Sequence, residues 1–506
     1  MLAYVYHVLS SFRSQFARRR TWLLFCAVVL GFLGTSPVDG ITAFCRFFHF
    51  GDSGYHAMLH FFRSNAWNLE TLSSFWWNFI MSQNHHLQVD ERVLLLGDHI
   101  YIPKDGRRMP GLVAIHQDSE TQTKPSYFRG HRWAALGLII GSWKQPSCLP
   151  LTLRLHQGFA HLGQEVDDEG HKQTLGQRMI QMALEAALQL RRPAILVLDA
   201  FFSVSTVFRA ASEVMLKDRP YLTVLVRAKK NYVAHEIPKE SEQKKMGRRR
   251  KYGNKLKLHD VFDQEEEFEQ AQALIYGKEE TIRYKAQELV WKPLKGSLLF
   301  IWVHSSRGMM VLMCNDLNID PIQAIECYSL RIRVEVMFGW LKGLLGAFCY
   351  RFWSKGLPAQ SRRPTKNSLM EAPPAEKQKM VTQVWECYEK FVLLGAISLG
   401  ILQLLALKFS KNVWRCFHWY LRSRSRQLPS VRTVKAVLSR QIVEDFGSVA
   451  CHATMQELRE SYTQTHPPFS ETQNGVVSRL RVAKCGIIGP RSCIPSRGAR
   501  TQWKSC

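Results

Sequence analysis

Between positions 328 and 342 the sequence carries the side chains that phosphate chemistry asks for. Tyr328, Arg331, Glu335 and Lys342 stand at offsets of 0, 3, 7 and 14, which at about 100° per residue fall near 0°, −60°, −20° and −40° around a helix. Ile325, Leu330, Val334, Met337 and Leu341 supply an apolar side. The pattern predicts one helix from about Pro321 to Leu345 that buries one face and presents the other. Such a stripe can aim a carboxylate at a metal and two cations and a phenol at phosphate. A solvated polar face with i,i+4 charge pairs would need no particular order of residue types.

Two further acids close short apolar runs. Arg92 to Gly97 leads into Asp98, and Ala194 to Leu198 leads into Asp199; both runs read as buried strands. Open α/β sheets place ligands at strand ends, and two acids brought together there repel unless a cation lies between them. Mg²⁺, which takes oxygen ligands, meets that demand. Strand-end aspartates also cap turns and helices, so the pair alone is not decisive. Asp105 and Asp118 compete for the first position, but Asp105 lies in the turn Lys104-Asp105-Gly106 and Asp118 in the polar run Gln117 to Thr123. Neither follows a buried strand.

The elements that must position these residues follow from the hydropathy pattern. Leu175 to Leu190 has helical texture and stops before Pro193; Ser203 can cap a helix from Val204 to Leu216; Tyr221 to Val226 is the next strand. Strand, helix, strand at this spacing is a βαβ unit with a parallel pairing. Trp133 to Ile140 is another strand candidate. We therefore expect an α/β chain with a helical region over 1–88 and a core over 89–228. A β-rich insertion over 229–311 carries strands near Arg283 to Trp291, Leu298 to Val303 and Met309 to Met313, and the core resumes over 312–354. A polar linker (355–379), a helical region (380–462) and a weakly ordered basic tail (463–506) complete the chain.

Composition narrows the partner. The 506 residues carry a net charge of +26, which points to a polyanion, because a cationic surface releases condensed counterions when it meets phosphate. Twelve cysteines include no CxxC pair, so they read as reduced thiols of a cytoplasmic protein rather than as a zinc ribbon or disulfide framework. His116, His131 and His259 lack partners at ligand spacing and read as core or surface histidines. The apolar runs Trp22 to Leu33 and Phe391 to Leu407 fall short of, or are interrupted within, the ~20 residues of a membrane span, and read as buried helices. A membrane-associated basic protein using them as anchors is the rival of another class.

The order tyrosine, two residues, arginine, three residues, glutamate, six residues, lysine resembles the YREK signature of bacterial insertion-sequence transposases of the DDE type. The resemblance covers about residues 20 to 410. It implies a ribonuclease H-like mixed sheet flanked by helices, a catalytic and metal-binding triad of Asp98, Asp199 and Glu335, and two Mg²⁺ or Mn²⁺ ions. It also implies double-stranded DNA with terminal inverted repeats as substrate, a homodimer on that DNA and a nucleoid-associated location, with no membrane. Tyr328, Arg331 and Lys342 would contact phosphate. His99-Ile100 after Asp98 departs from the commonest form of the family. A catalytically inactive DNA-binding descendant is the alternative within the family.

Basic residues extend the partner surface. Eight of the fourteen residues from Lys244 to Lys257 are Lys or Arg, and Arg248, Arg249, Arg250 and Lys251 are candidate phosphate contacts. Trp291 is a candidate base contact on the same resemblance, with core packing as the competing fate for a strand tryptophan. Arg107 and Arg108, just past Asp98, could reach backbone phosphates.

Overall fold

Five strands form the centre of the molecule, and their β-branched and leucine-rich sequences are buried on both faces. The computed structural model describes residues 1–116, 127–156, 174–238, 250–359, 375–420 and 428–463. Strands β1 (Arg92–Pro103), β2 (Tyr127–Gly141) and β3 (Pro146–His156) form an antiparallel meander, with β2 between the other two. On the other side of β1, β4 (Ala194–Leu198) and β5 (Leu222–Arg227) add in parallel. The order is therefore β3-β2-β1-β4-β5. Helix α6 (Leu175–Leu190), closed at its start by a Thr174–Gln177 capping box, precedes β4, and α7 (Ser205–Ala211) links β4 to β5.

The expected βαβ unit is present, and the helix after β4 is shorter than its sequence suggested. A 3₁₀ turn occupies Ala200–Phe202, and Met215–Leu216 pairs with Arg219–Pro220 in a small hairpin. Lys217 adopts φ +55° there, so the chain turns back instead of continuing as helix. Sequence reading missed β3 because Pro146 and Pro150 lie inside it. The structure accommodates Pro150 at a bulge, where register shifts between Leu136 and Gly137; a bulge is one of the few places where a strand tolerates a missing N–H.

The strands of the 229–311 segment belong to this same sheet. Beyond β5 come β8 (Gly308–Cys314), β7 (Gly296–Ser305) and β6 (Lys278–Trp291), all antiparallel. One buried ion pair fastens β8 to the core. Arg92, at the start of β1, donates to Asp316 Oδ2 at 2.6 Å and Thr223 Oγ1 at 3.0 Å, and both Arg92 and Asp316 are almost wholly buried.

The apolar runs are buried helices. In α2 (Arg19–Gly34) every residue from Trp22 to Gly34 is buried. Helix α10 (Ala375–Lys408) packs against α2 and β3. Among the described residues it is the single helix long and apolar enough to cross a membrane, and 94% of its most apolar window lies inside the chain. Every described cysteine is free. Residues up to Gln464 form one compact unit; the tail beyond lies outside the described residues.

His131, on β2, is a core histidine. Its ring nitrogens meet the Tyr350 hydroxyl at 2.7 Å and the Pro110 carbonyl at 2.9 Å, and it is fully buried. Burial pulls its pKa down to about 3, so the folded chain keeps it neutral while the unfolded chain protonates it below about 6.5.

Two outcomes follow. Asp316→Ala removes the buried partner of Arg92 and leaves its guanidinium to Thr223 and the half-exposed Asp90, so it should lower unfolding free energy by about 1–3 kcal/mol, whereas breaking the exposed Arg440–Glu444 pair should cost under about 1 kcal/mol; urea midpoints compare them. As pH falls from 6.5 towards 3, His131 should remove stability at about 1.4 kcal/mol per pH unit, because the unfolded state then binds the extra proton. His131→Gln should show a shallower acid slope by that amount, whatever its stability at pH 7.

Candidate active site

Asp98 and Asp199 reach the same edge of the sheet because β1 and β4 run parallel. Their pairing ends at Leu96↔Val197, and each aspartate follows two residues later. Asp199 caps the 3₁₀ turn after β4, its Oδ1 accepting the Ala200 N–H at 2.7 Å. Asp98 Oδ1 accepts the His99 N–H at 2.7 Å. The expectation that Asp98 terminates its strand needs correction: β1 continues to Pro103 because β2 goes on pairing with it there. Asp98 thus stands where the parallel neighbour ends, halfway along its own strand. Gly97 allows this close packing, since a Cβ there would come within 2.7 Å of Leu198 and 2.8 Å of Met179.

The third element is not the single helix predicted over 321–345. Helix α8 (Pro321–Ser329) begins with Asp320 accepting the Gln323 N–H, and α9 (Ile332–Gly339) follows after a break. Leu330 and Arg331 donate back to Cys327 and Tyr328, the i→i−3 pattern of a tightened turn. A π turn over Trp340–Leu344 then widens the path. The ideal stripe is therefore distorted twice. Tyr328, Arg331 and Glu335 still converge on the aspartates, whereas Lys342 lies farther along β1, its Nζ 3.5 Å from the Tyr101 carbonyl.

Arg331 sits at the meeting point. Its guanidinium is 2.9 Å from Glu335 Oε1 and 3.7 Å from Asp98 Oδ2. Burial opposes its charge, but Asp199, Tyr328, Glu335 and Asp98 together outweigh burial and hold the pKa above the usual arginine value. In Asp98 it is the charged form that is disfavoured. Burial pushes its carboxyl up to about 6, partly countered by the His99 N–H and Arg331 and reinforced by the charges of Asp199 and Glu335. Tyr328 is buried, and that burial keeps its phenol protonated well beyond the ordinary range. The His99 ring packs on Phe202 and His156; burial lowers its pKa to about 4, so it adds no cation beside Asp98 near neutral pH.

Among the described residues, no three His, Cys, Asp or Glu side chains are gathered as a metal site. The donor set still fits a hard divalent cation in kind. It consists of three carboxylates, two of which, Asp199 and Glu335, help raise the third, Asp98, with no soft ligand among them. In this conformation a guanidinium supplies the positive charge that they require.

The remaining expected contacts divide. Trp291 is 3% exposed and packs between Phe208 and Tyr232, so no base can stack on it; its strand position places it in the core. Arg248, Arg249 and Asp118 lie outside the described residues. Arg250, Lys251 and Asp105 are exposed. Arg107 and Arg108 line a cavity that also reaches Lys342, Arg351, Trp353 and Lys355. Sequence reading placed Lys355 at the start of a linker and missed this group; the alternation of basic and aromatic residues from Tyr350 to Lys355 was the available signal.

No curated protein matches the sequence. A family model described as DDE superfamily endonuclease matches residues 12–295, a span that contains Asp98 and Asp199 and stops short of Glu335. Two aspartates at one sheet edge are what that description requires of the matched part, and since the match takes in more than half of the 506 residues, the chain belongs to the DDE superfamily endonucleases.

Proposed function

We propose that the chain is a DDE-type DNA transposase of the YREK kind, with a ribonuclease H-like core, that cleaves and joins the ends of an insertion sequence. The observation that carries this reading is Arg331. It bridges Asp98 and Glu335, residues more than two hundred positions apart, and responds to the charge of Asp199. The strand order β3-β2-β1-β4-β5, antiparallel then parallel, supports the ribonuclease H-like assignment, as does an acid-bearing helix that follows the sheet.

In this reading Asp98, Asp199 and Glu335 hold two Mg²⁺ or Mn²⁺ ions, which when bound activate the attacking oxygen and stabilise the leaving one. The chain's own groups do the rest. Asp98 and Asp199 are fixed by backbone N–H groups at one sheet edge, so their carboxylates approach without reorganisation. Arg331 balances their charge and is near enough to contact a scissile phosphate. Tyr328 stays a neutral phenol and donates a hydrogen bond to a phosphate oxygen. Lys342 meets the strand farther out. The substrate is duplex DNA with terminal inverted repeats, held by a dimer, and the protein works on the nucleoid in the cytoplasm.

The test is nicking of a duplex carrying the element's own ends with Mg²⁺ or Mn²⁺ present. Glu335→Gln should lose at least about a hundredfold in cleavage rate, given that metal stabilisation is worth several kcal/mol, while binding the same DNA within a few-fold of wild type. Chelation should abolish nicking equally. Undiminished cleavage by Glu335→Gln would remove the triad from the mechanism. Binding without nicking by the wild-type chain would favour the inactive descendant.

A further inference from the structure

From Ile102, four residues past Asp98 on β1, the loop after β1 and the segment from Phe348 to Ala359 line an open cavity of about 1240 Å³. Its walls carry Arg107, Arg108, Lys342, Arg351 and Lys355, against a single acid, Asp105. The cavity is built rather than incidental. Lys104, whose ammonium is buried, donates to the carbonyls of Phe348 and Tyr350 and sits 3.7 Å above the Tyr350 ring, which pins the far wall to the end of β1. Arg108 Nη1 donates to the Lys355 carbonyl at 2.5 Å and ties the rim together.

Trp353 stands on this rim and is 47% exposed. Behind it lies a smaller recess of about 520 Å³ that shares Arg351, Trp353 and Lys355 and is otherwise lined by Tyr55, Met380 and Val384 among others. A half-exposed indole thus stands between two basic recesses, the smaller of which adds Arg63 to the shared Arg351 and Lys355. The indole presents an aromatic face at the mouth of a cationic trough, for which a small anion would have no use. Basic side chains that track a backbone, interleaved with an aromatic platform, suit a nucleic-acid strand whose bases are not paired. Within a duplex the bases are stacked on one another and offer no free face to the indole.

We propose that this trough is the path of an unpaired DNA strand leading away from the carboxylates. The strand's phosphates lie on Arg107, Arg351 and Lys355, and one unstacked base rests against Trp353 at the mouth of the recess. The inference rests on DNA being the substrate, as proposed above, and adds a strand-positioning surface and a base contact to it.

Fluorescence anisotropy tests it on the full chain, with a labelled mixed-sequence oligonucleotide, single-stranded or as a blunt duplex, and a chelator present so that no cleavage intrudes. Trp353→Ala should weaken single-strand binding about tenfold or more and duplex binding less than about twofold. Trp353→Phe, which keeps a stacking face, should recover most of the loss. Arg351→Ala with Lys355→Ala should reduce the slope of log K against log salt by about 1.4, or ~0.7 per phosphate contact, a slope that Trp353→Ala leaves unchanged.

Equal losses for Trp353→Ala and Trp353→Phe, equal losses on single strand and duplex, or an unchanged salt slope would each overturn the strand path. If Trp353→Ala unfolds, the phenylalanine and arginine–lysine variants decide. Tenfold tighter binding of RNA of the same sequence would overturn the assignment to DNA. Because binding is read without cleavage, a wild-type chain that shows these effects but never nicks would sink only the transposase reading, and one that nicks while Trp353→Ala binds normally would sink only this path.

Discussion

Like charges have to be held together against their own repulsion, and the arrangement around the sheet edge follows from that constraint. Asp98 and Asp199 cannot separate, because the parallel pairing of β1 and β4 fixes the backbone up to two residues before each. Glu335 approaches from another element. Burial removes the water that would otherwise screen Asp98, and its raised carboxyl registers the cost. A guanidinium answers this better than an ammonium would. It is planar, keeps its proton at any physiological pH, and can face two carboxylates from one centre. Its location between Asp98 and Glu335 compensates charge without fixing either acid in a rigid buried pair, since Glu335 remains exposed.

Holding α9 in place falls to groups far from the chemistry. Met337 packs against Cys148 of β3, and a Cβ at Gly137 would crowd its sulfur, so the helix rests on the antiparallel half of the sheet. The end of the π turn is held by Lys435, a nearly buried lysine that donates to Leu344 O and Thr35 O, both at 2.8 Å. One ammonium thereby joins the turn carrying Lys342 to the C-terminal end of α2. The long apolar helices α2 and α10 are the frame to which the acid-bearing segment is tied, which gives a structural reason for stretches whose composition alone resembles membrane spans.

Sequence reading succeeded where a local pattern and the tertiary environment agreed. The apolar runs before Asp98 and Asp199 are buried strands, Leu175–Leu190 is a helix with its capping box, and α2 and α10 are interior. It failed where long-range pairing or backbone irregularity decided. β1 runs past Asp98 because β2, with partners from Ala134 back to Gly130, continues to pair with it. β3 hides behind two prolines that a bulge accommodates. The single stripe of Tyr328, Arg331, Glu335 and Lys342 assumed one unbroken helix, and the tight turn at Leu330 and the π turn at Trp340 leave no mark in residue types. Trp291 shows the same limit: a strand tryptophan beside a lysine reads equally as a base contact or as core, and only its packing on Phe208 and Tyr232 decides.

The displacement of Lys342 has a physical consequence. On an ideal helix it would join Arg331 over the carboxylates and add a second cation to a site that already holds one. Moved along β1 to Tyr101, it leaves three carboxylates facing one guanidinium, a site with residual negative charge that favours cations. The lysine instead borders the basic trough, where burial lowers its pKa somewhat below the ordinary value. The π turn thus separates two electrostatic regions that a regular helix would merge: an acidic focus suited to hard cations, and a cationic surface suited to the polyanion on which those cations would act.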